Sequence, residues 1–389
     1  MEQFILFMNV ISPYLIAFVL FILLYRALIL VGGAEIAVLE RKYFGKNMAQ
    51  GRVIALSNEI GIQARTLGPG LHLLIPFLYK AMKYAFTVIA ENEVGVVESI
   101  DGDPIPPGKI FAKVVQGHNA FQDGETFLTN GGQKGPQIAI LPPGTFRINP
   151  VLFHVRKKAL TFIDRGKIGI VTSMDGEPIP PGRLLAHKAE GHTNYENGQA
   201  FLTNHGQKGP QIEILLPGTY RINTDLFHVE IQDASIIPAN KVGLITALDG
   251  QALPEAEYVA KSVEGHNDFQ DASKFLGAGG QRGPQFDVLR PGTYYINPLM
   301  FKVEIDDVAV VERGQVAVVV SNVGEEPPQI RSMIEELAKK EGAVPGTEQY
   351  RIIEKRYDTG IERYVVPKGF RGIQQEVAGP GIYYLNRRA

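Results

Sequence analysis

The chain begins with a long apolar segment, because residues 4–25 include no charged side chain. As an α-helix this segment would be about 33 Å long, enough to cross the hydrocarbon core of a bilayer. It therefore predicts a transmembrane helix, with a kink at Pro13 and Arg26 reaching the headgroups. The residues predicted to form this membrane anchor are Phe4, Ile5, Leu15, Phe18, Leu20, Phe21, Leu24, Tyr25 and Arg26.

A cleaved signal peptide is the alternative interpretation of this segment. Signal peptides have a basic first region and a short apolar core, whereas this chain starts Met-Glu-Gln and its apolar run is longer. Basic residues follow the segment at Arg26, Arg41, Lys42 and Lys46, and none precedes it. This distribution predicts a single-pass protein of the cell (inner) membrane, with its body in the cytoplasm.

Beyond the anchor, apolar residues form short runs rich in β-branched side chains, which are typical of buried strands. Residues 94–97 and 242–245 are two such runs, and the turn dipeptides Asp101-Gly102 and Asp249-Gly250 follow them. One helix is predicted over residues 330–341, because two prolines precede it and Gly342 follows it. The predicted fold class is therefore mainly β with α+β elements.

The β pattern recurs with a period of 74 residues. A fourth copy contains a 15-residue insertion, since Gly369 lies 89 residues after Gly280, and a shorter copy comes first, since Gly70 lies 74 residues before Gly144. Stacked end to end, such modules predict a rod in which each contacts its neighbours. Positions that share the 74-residue spacing are Gly95, Gly169 and Gly243; His118, His192 and His266; and Asn149, Asn223 and Asn297.

The repeats divide the chain into six predicted segments. An anchor (1–33) precedes a short unit (34–90). The following segments are repeat 1 (91–163), repeat 2 (164–237), repeat 3 (238–311) and repeat 4 (312–389), the last with the helical insertion and incomplete. In each of these five modules a Pro-Gly pair predicts a structural turn, and a type II turn with a positive φ is predicted at Gly144, Gly218 and Gly292. These structural turns are Gly70, Gly144, Gly218, Gly292 and Gly381.

Composition excludes several classes of function. The chain has 39 Lys and Arg against 41 Asp and Glu, so its net charge of -2 offers no attraction to nucleic acid. It contains no cysteine, which excludes disulfides, thiolate catalysis and cysteine-ligated zinc.

The chemistry-bearing residues of the repeats predict structural roles. A Gly-His pair occurs once in each of repeats 1 to 3, at His118, His192 and His266. No second metal-binding residue lies at a fixed short spacing from these histidines, so a turn or capping role is favoured over a metal or acid–base site. The glycine-rich loop starting at Asn130 lacks the Gly-Lys-Ser/Thr ending of a phosphate loop and is predicted to be a hairpin loop. We therefore expect no enzymatic activity, no catalytic residues, no metal and no cofactor.

Residues 67–79 are apolar enough to enter a membrane surface. Because Gly70 and Pro76 fall in register with Gly144 and Pro150, the favoured interpretation is instead the closing strand of the short unit.

Two segments of the short unit resemble a known family. Val38-Leu-Glu-Arg-Lys-Tyr-Phe-Gly and Gly68-Pro-Gly-Leu-His-Leu-Leu-Ile-Pro-Phe are similar to the entry of an SPFH (band-seven) domain, the fold shared by stomatin, prohibitin and flotillin. Residues 269–298 resemble segments of large flotillin-like bacterial proteins, and the tandem modules resemble those of the major vault protein. The resemblance implies a membrane-bound homo-oligomer, often a ring or closed cage, that organises membrane microdomains or encloses membrane proteins.

The chain departs from that family because it lacks the long charged helical segment that usually follows the SPFH domain. We therefore expect the natural polypeptide to continue past Ala389 into more SPFH domain and a coiled coil. The predicted function is a membrane-anchored scaffold that assembles through lateral packing of its β repeats. Its expected partners are the lipid bilayer, copies of itself and an enclosed membrane protein. The alternative is a monomeric membrane-anchored protein that binds ligands through its β repeats.

Overall fold

The computed structural model describes residues 2–254, 257–358 and 365–389, and within them the side chains of residues 2–12, 328–330 and 355–358 are not described. The chain forms small antiparallel β-sheets joined by loops, with few helices. The mainly β character agrees with the sequence. The predicted helix content and the predicted membrane span do not.

The first element is helix α1 (Glu2–Ala27). Among the described residues, no helix is both long enough and apolar enough to cross a membrane. The transmembrane helix predicted over residues 4–25 is therefore wrong.

The predicted anchor residues with described side chains do not pack against the β modules. The side chains of Phe4 and Ile5 lie outside the described residues. The remaining ones lie exposed on α1, and they are Leu15, Phe18, Leu20, Phe21, Leu24, Tyr25 and Arg26.

A three-stranded antiparallel sheet recurs in four modules. In each sheet the central strand is the earliest in sequence, and the other two pair with it on either side. The sheets comprise β2 (Glu35–Arg41), β3 (Gly61–Leu67) and β5 (Tyr79–Ala85) in the short unit; β7 (Glu93–Ser99), β8 (Gly135–Leu141) and β10 (Phe153–Ala159) in repeat 1; β12 (Lys167–Ser173), β13 (Gly209–Leu215) and β15 (Phe227–Asp233) in repeat 2; and β17 (Lys241–Ala247), β18 (Gly283–Leu289) and β20 (Phe301–Asp307) in repeat 3.

Two-stranded antiparallel sheets join each module to the next. In four of them one strand follows the three-stranded sheet of a module, and its partner belongs to the next module. In the first pair the earlier strand follows α1 instead. The pairs are β1 (Leu28–Val31) with β4 (Gly70–Leu73), β6 (Thr87–Ile89) with β9 (Gly144–Phe146), β11 (Thr161–Ile163) with β14 (Gly218–Tyr220), β16 (Ser235–Ile237) with β19 (Gly292–Tyr294), and β21 (Ala309–Val311) with β25 (Gly381–Tyr383).

The five predicted turn glycines are the first residues of β4, β9, β14, β19 and β25. Backbone φ is positive at Gly144 (153°), as predicted, but not at Gly218 or Gly292, so the predicted positive φ is wrong for these two. The glycine begins a strand instead of occupying the centre of a type II turn. An aromatic ring two residues later covers it, and a Cβ on Gly218 would lie 3.2 Å from the Tyr220 hydroxyl oxygen.

Each of repeats 1 to 3 also contains a one-and-a-half-turn helix that the sequence analysis missed. These helices are α2 (Gly124–Thr129), α3 (Gly198–Thr203) and α4 (Ala272–Gly277). An Asp or Asn caps each one; for example, the Asp123 side chain accepts a hydrogen bond from the Thr126 N–H. The glycine-rich loop at Asn130 therefore connects a helix to β8, and the predicted hairpin loop is wrong.

Repeat 4 has a different sheet, formed by β22 (Val320–Ser321), β23 (Val365–Val366) and β24 (Gly372–Gln374). Its insertion holds α5 (Pro328–Glu341), which covers the helix predicted over residues 330–341. A second helix, α6 (Glu348–Asp358), packs against α5 and was not predicted.

The hydrophobic cores extend across the junctions between modules. In repeat 2, three aromatic rings pack edge to face, and Tyr195 and Phe201 each contact Phe227 with ring centroids 5.1 and 5.0 Å apart. Phe111 and Ile138 of repeat 1 belong to the same core. Since cores and strand pairs both join neighbouring modules, the segment boundaries drawn from the sequence stay predictions.

Candidate functional site at the module junctions and edges

One asparagine fastens each repeat to the module before it. The Asn223 side chain lies 2% exposed and donates hydrogen bonds to the backbone carbonyls of Gln137 and Ile138, both at 3.0 Å. Its own carbonyl accepts from the Asp225 N–H at 3.1 Å. The same contacts occur at Asn149, Asn297 and Asn386.

A buried aspartate makes a second set of junction hydrogen bonds, in which its side chain accepts instead of donating. One Asp175 carboxylate oxygen accepts from the backbone N–H groups of Ile110 and Phe111, at 2.9 and 3.0 Å. Asp101 makes the corresponding two bonds to Val53 and Ile54 of the short unit. Asp249 accepts from the Leu184 N–H at 3.2 Å and from the Arg183 side chain at 3.1 Å. Repeat 4 has Val323 at this position, 74 residues after Asp249, so its junction lacks the carboxylate.

The three repeated histidines support a strained turn. In repeat 1 the residues Asn119, Ala120 and Phe121 all have left-handed φ angles between 46° and 62°. The His118 Nδ1 accepts a hydrogen bond from the Phe121 N–H at 2.8 Å, which closes the turn. His192 and His266 close equivalent turns in repeats 2 and 3.

A metal role for these histidines has no support in the geometry. The described residues contain no group of three His, Asp or Glu side chains placed to hold a metal ion. Because Nδ1 already accepts a backbone hydrogen bond, only Nε2 remains for any other partner. The structure therefore agrees with a turn-closing role.

The His118 turn is expected to make stability depend on pH. Burial lowers the pKa of His118 below its ordinary value of 6.5, so the folded state binds this proton less readily than the unfolded state. The contribution to stability is complete above pH 6.5 and is lost as the pH falls through the lower folded pKa. In thermal unfolding at pH 7 and pH 5, we expect His118→Gln to reduce the loss of stability at pH 5.

His154→Gln is the matched control, because His154 is exposed on β10. A change in pH dependence equal to that of His118→Gln would contradict the role of the buried turn.

Repeat 2 adds a cluster of polar side chains at its turn. Glu213 accepts from Lys188 Nζ at 3.0 Å and contacts His192 Nε2 at 3.3 Å. Burial alone would raise the pKa of Glu213, but the hydrogen bonds from His192 and Lys188 outweigh it and lower that pKa. Burial raises the pKa of the adjacent Tyr195 well above its ordinary value. These groups are ionised or hydrogen-bonded within the repeat, which suits a structural contact.

A small open groove lies between the short unit and repeat 1. Its volume is about 250 Å³, and it is lined by Thr66, Gly68, Asn119, Gln122, Asp123 and Arg147. Two of the lining side chains already have structural partners, since Asp123 caps α2 and the Gln122 carbonyl accepts from the Arg147 N–H at 3.0 Å. The side chains of Thr66, Asn119 and Arg147 are its remaining polar lining groups.

Each of the five junction sheets exposes one apolar side chain at the same position. The central residue of each earlier strand faces solvent, with exposures from 50% at Val88 to 65% at Leu30. The five residues of this apolar series are Leu30, Val88, Phe162, Ile236 and Val310. An exposed apolar residue is common by itself, but repetition at one structural position is typical of an interaction surface.

The outer strands of the three-stranded sheets form open edges. Within the described part of the chain, β5, β10, β15 and β20 each pair with one strand only. Such an edge presents unpaired backbone N–H and C=O groups to another molecule.

The sequence pattern identified the turn glycines but not the residues that hold the junctions. The buried Asp101 and Asp249 were interpreted only as parts of turn dipeptides. The 74-residue spacing of Asn149, Asn223 and Asn297 was the signal that could have revealed the junction role, because a buried polar residue needs a specific partner. No protein-family model matches the chain, and no curated protein matches it.

Proposed function

We propose that this protein is a self-assembling scaffold whose β modules pack side by side with modules of other copies. The apolar series carries the proposal, because all five junction sheets leave an apolar side chain exposed at one equivalent position. A partner that covers the whole series needs apolar surface at the same spacing along its length. A second copy of the chain has that spacing.

Two further observations support lateral association. Each three-stranded sheet has an open outer edge, and pairing or packing such edges against a neighbour satisfies their polar backbone groups. The interlocked junctions hold each module against its neighbour through buried hydrogen bonds such as those of Asn223. A chain of firmly joined modules can meet a neighbour at several points at once, which strengthens weak individual contacts.

The resemblance to the SPFH family extends the proposal to the form of the assembly. In that family, copies join into rings or closed cages that organise membrane microdomains or enclose membrane proteins. We include a closed assembly with an enclosed membrane protein in the proposal on that ground.

The mass of the purified protein tests the proposal. Light scattering is expected to give a multiple of the 42.7 kDa chain mass, and replacing the apolar series by serine at Val88, Phe162 and Ile236 is expected to shift the protein toward the monomer. Thr219→Ser is the matched control, because Thr219 pairs with Phe162 and is also exposed. A monomer at all concentrations would instead favour the monomeric β-repeat binding protein.

A further inference from the structure

We infer that neighbouring copies in this assembly run antiparallel, so that the outer edge of repeat 1 in one copy faces the outer edge of repeat 2 in a second copy. This inference rests on the proposed lateral assembly and adds the orientation of the partner. It is carried by a reversal of charge along the open edges.

The first two outer edges are basic. Strand β5 has Lys80 and Lys83 and no acidic residue. Strand β10 has Arg156, Lys157 and Lys158, again with no acidic residue. Lys157 and Lys158 are exposed, and within the described residues neither makes an ion pair.

The next two outer edges are acidic at the corresponding positions. Strand β15 has Glu230 and Asp233 and no Lys or Arg. Strand β20 has three acidic residues and one Lys. Several β20 carboxylates are neutralised within the chain, for example by Lys241, which binds Asp307 at 2.6 Å. Asp233 of β15 is also paired, with Lys167 at 3.3 Å, and Arg156 of β10 is paired with Asp225. The clearest contrast is therefore between Lys157 and Lys158 on β10 and Glu230 on β15.

The other edge of each sheet bears little charge and does not complement the outer edge. Strand β3 has Arg65 as its one charged residue, β8 has none, β13 has Glu213 and β18 has Asp287. If copies packed in parallel, β5 would meet β3 with both basic, and β10 would meet the uncharged β8. Like charges placed together oppose association.

An antiparallel pair gives complementary charges. A twofold axis between repeats 1 and 2 places basic β10 opposite acidic β15 of the second copy, and places basic β5 opposite acidic β20. A twofold interface repeats each contact, so every favourable pair occurs twice.

The outer edge of repeat 2 also exposes an apolar side chain that a lysine stem can cover. Position 157 of β10 is Lys, and the equivalent position of β15 is Ile231, which is exposed. A lysine stem on β10 can cover an isoleucine side chain on β15 while its ammonium group reaches a carboxylate.

Single cysteines give a direct test, because the chain has no cysteine of its own. The variants are Lys157→Cys on β10, Ile231→Cys on β15 and Ala139→Cys on β8, each treated with a short bismaleimide cross-linker. We expect covalent dimers when Lys157→Cys is mixed with Ile231→Cys, and none from Lys157→Cys alone.

The other outcomes separate this inference from the proposed function. Cross-linking of Lys157→Cys with Ala139→Cys, or with itself, in an assembled protein would overturn the antiparallel orientation and leave the scaffold standing. A protein that is monomeric by light scattering and gives no cross-link would overturn both. Circular dichroism of each variant establishes that it is folded before cross-linking.

A charge-reversal experiment gives an independent readout. Lys157→Glu with Lys158→Glu is expected to weaken assembly about tenfold or more, since opposed charges at an interface become like charges. Mixing this variant with Glu230→Lys and Asp233→Lys is expected to restore assembly. Lys134→Glu is the control, because Lys134 is exposed away from the outer edge. Failure of the mixture to recover, with assembly of the wild-type protein intact, would contradict the inference.

Discussion

Replacing Gly176 by alanine is expected to lower the free energy of unfolding by about 3 kcal/mol. The Gly176 backbone has φ of 140°, a conformation that side chains with a Cβ rarely adopt. A Cβ there would also lie 2.4 Å from the carbonyl oxygen of Gly206 and 2.8 Å from the amide nitrogen of Lys208. Neither backbone atom can move freely, because Glu177 is hydrogen-bonded to both residues.

Gly166→Ala distinguishes the cost of backbone strain from the cost of steric overlap with the neighbouring backbone. Gly166 also has a positive φ, 77°, but a Cβ there would meet nothing within 4 Å. Its expected cost is about 1 kcal/mol, from backbone strain alone. Denaturant unfolding of both variants measures the difference, and equal costs would show that the close approach of the two backbone segments is unimportant.

Asn223→Asp is expected to destabilise the protein by about 3 kcal/mol at neutral pH, although the two side chains have nearly the same shape. The buried amide donates to the carbonyls of Gln137 and Ile138, and a carboxylate at its place would face both oxygens with no proton to share. The cost should decrease at low pH, where the new carboxyl is protonated and can donate one bond.

Asn204→Asp is the matched control for this junction. The Asn204 amide also donates to a backbone carbonyl, that of Glu190 at 2.7 Å, but it does so at the surface. Its expected cost is about 0.5 kcal/mol, since water solvates the new charge. Chemical denaturation at pH 7 and pH 4 compares the two variants. A similar cost for both, unchanged by pH, would contradict a buried junction at Asn223.

The repeat and its strands were predictable because short runs of neighbouring residues encode them. The runs at residues 94–97 and 242–245 form β7 and β17, and the 74-residue period fixed how many copies to expect. Short helices such as α3 were harder to predict, because six residues with one large buried side chain, Phe201, show no helical periodicity. The cap at Asn197 was their one available signal.

The junctions could not be derived from local patterns. Asn223 bonds to residues 85 and 86 positions earlier, so its partners belong to another module and depend on how the modules stack. The open edges also required strand order, because sequence alone did not show that β10 would lie outside β7. At the N-terminus, uncharged composition predicted a membrane span that no helix of the described residues provides.

The repeated junction makes neighbouring modules interchangeable. Repeat 2 offers Asn223 and Asp175 to the module before it, and repeat 3 offers Asn297 and Asp249 at the same places. Removing or duplicating one 74-residue segment would bring together the same donors and acceptors. Gene duplication could therefore lengthen or shorten this protein in whole-module steps without a new interface. Repeat 4 is the exception, because Val323 stands at the position of the aspartate and a copy of this repeat would lack the carboxylate contact.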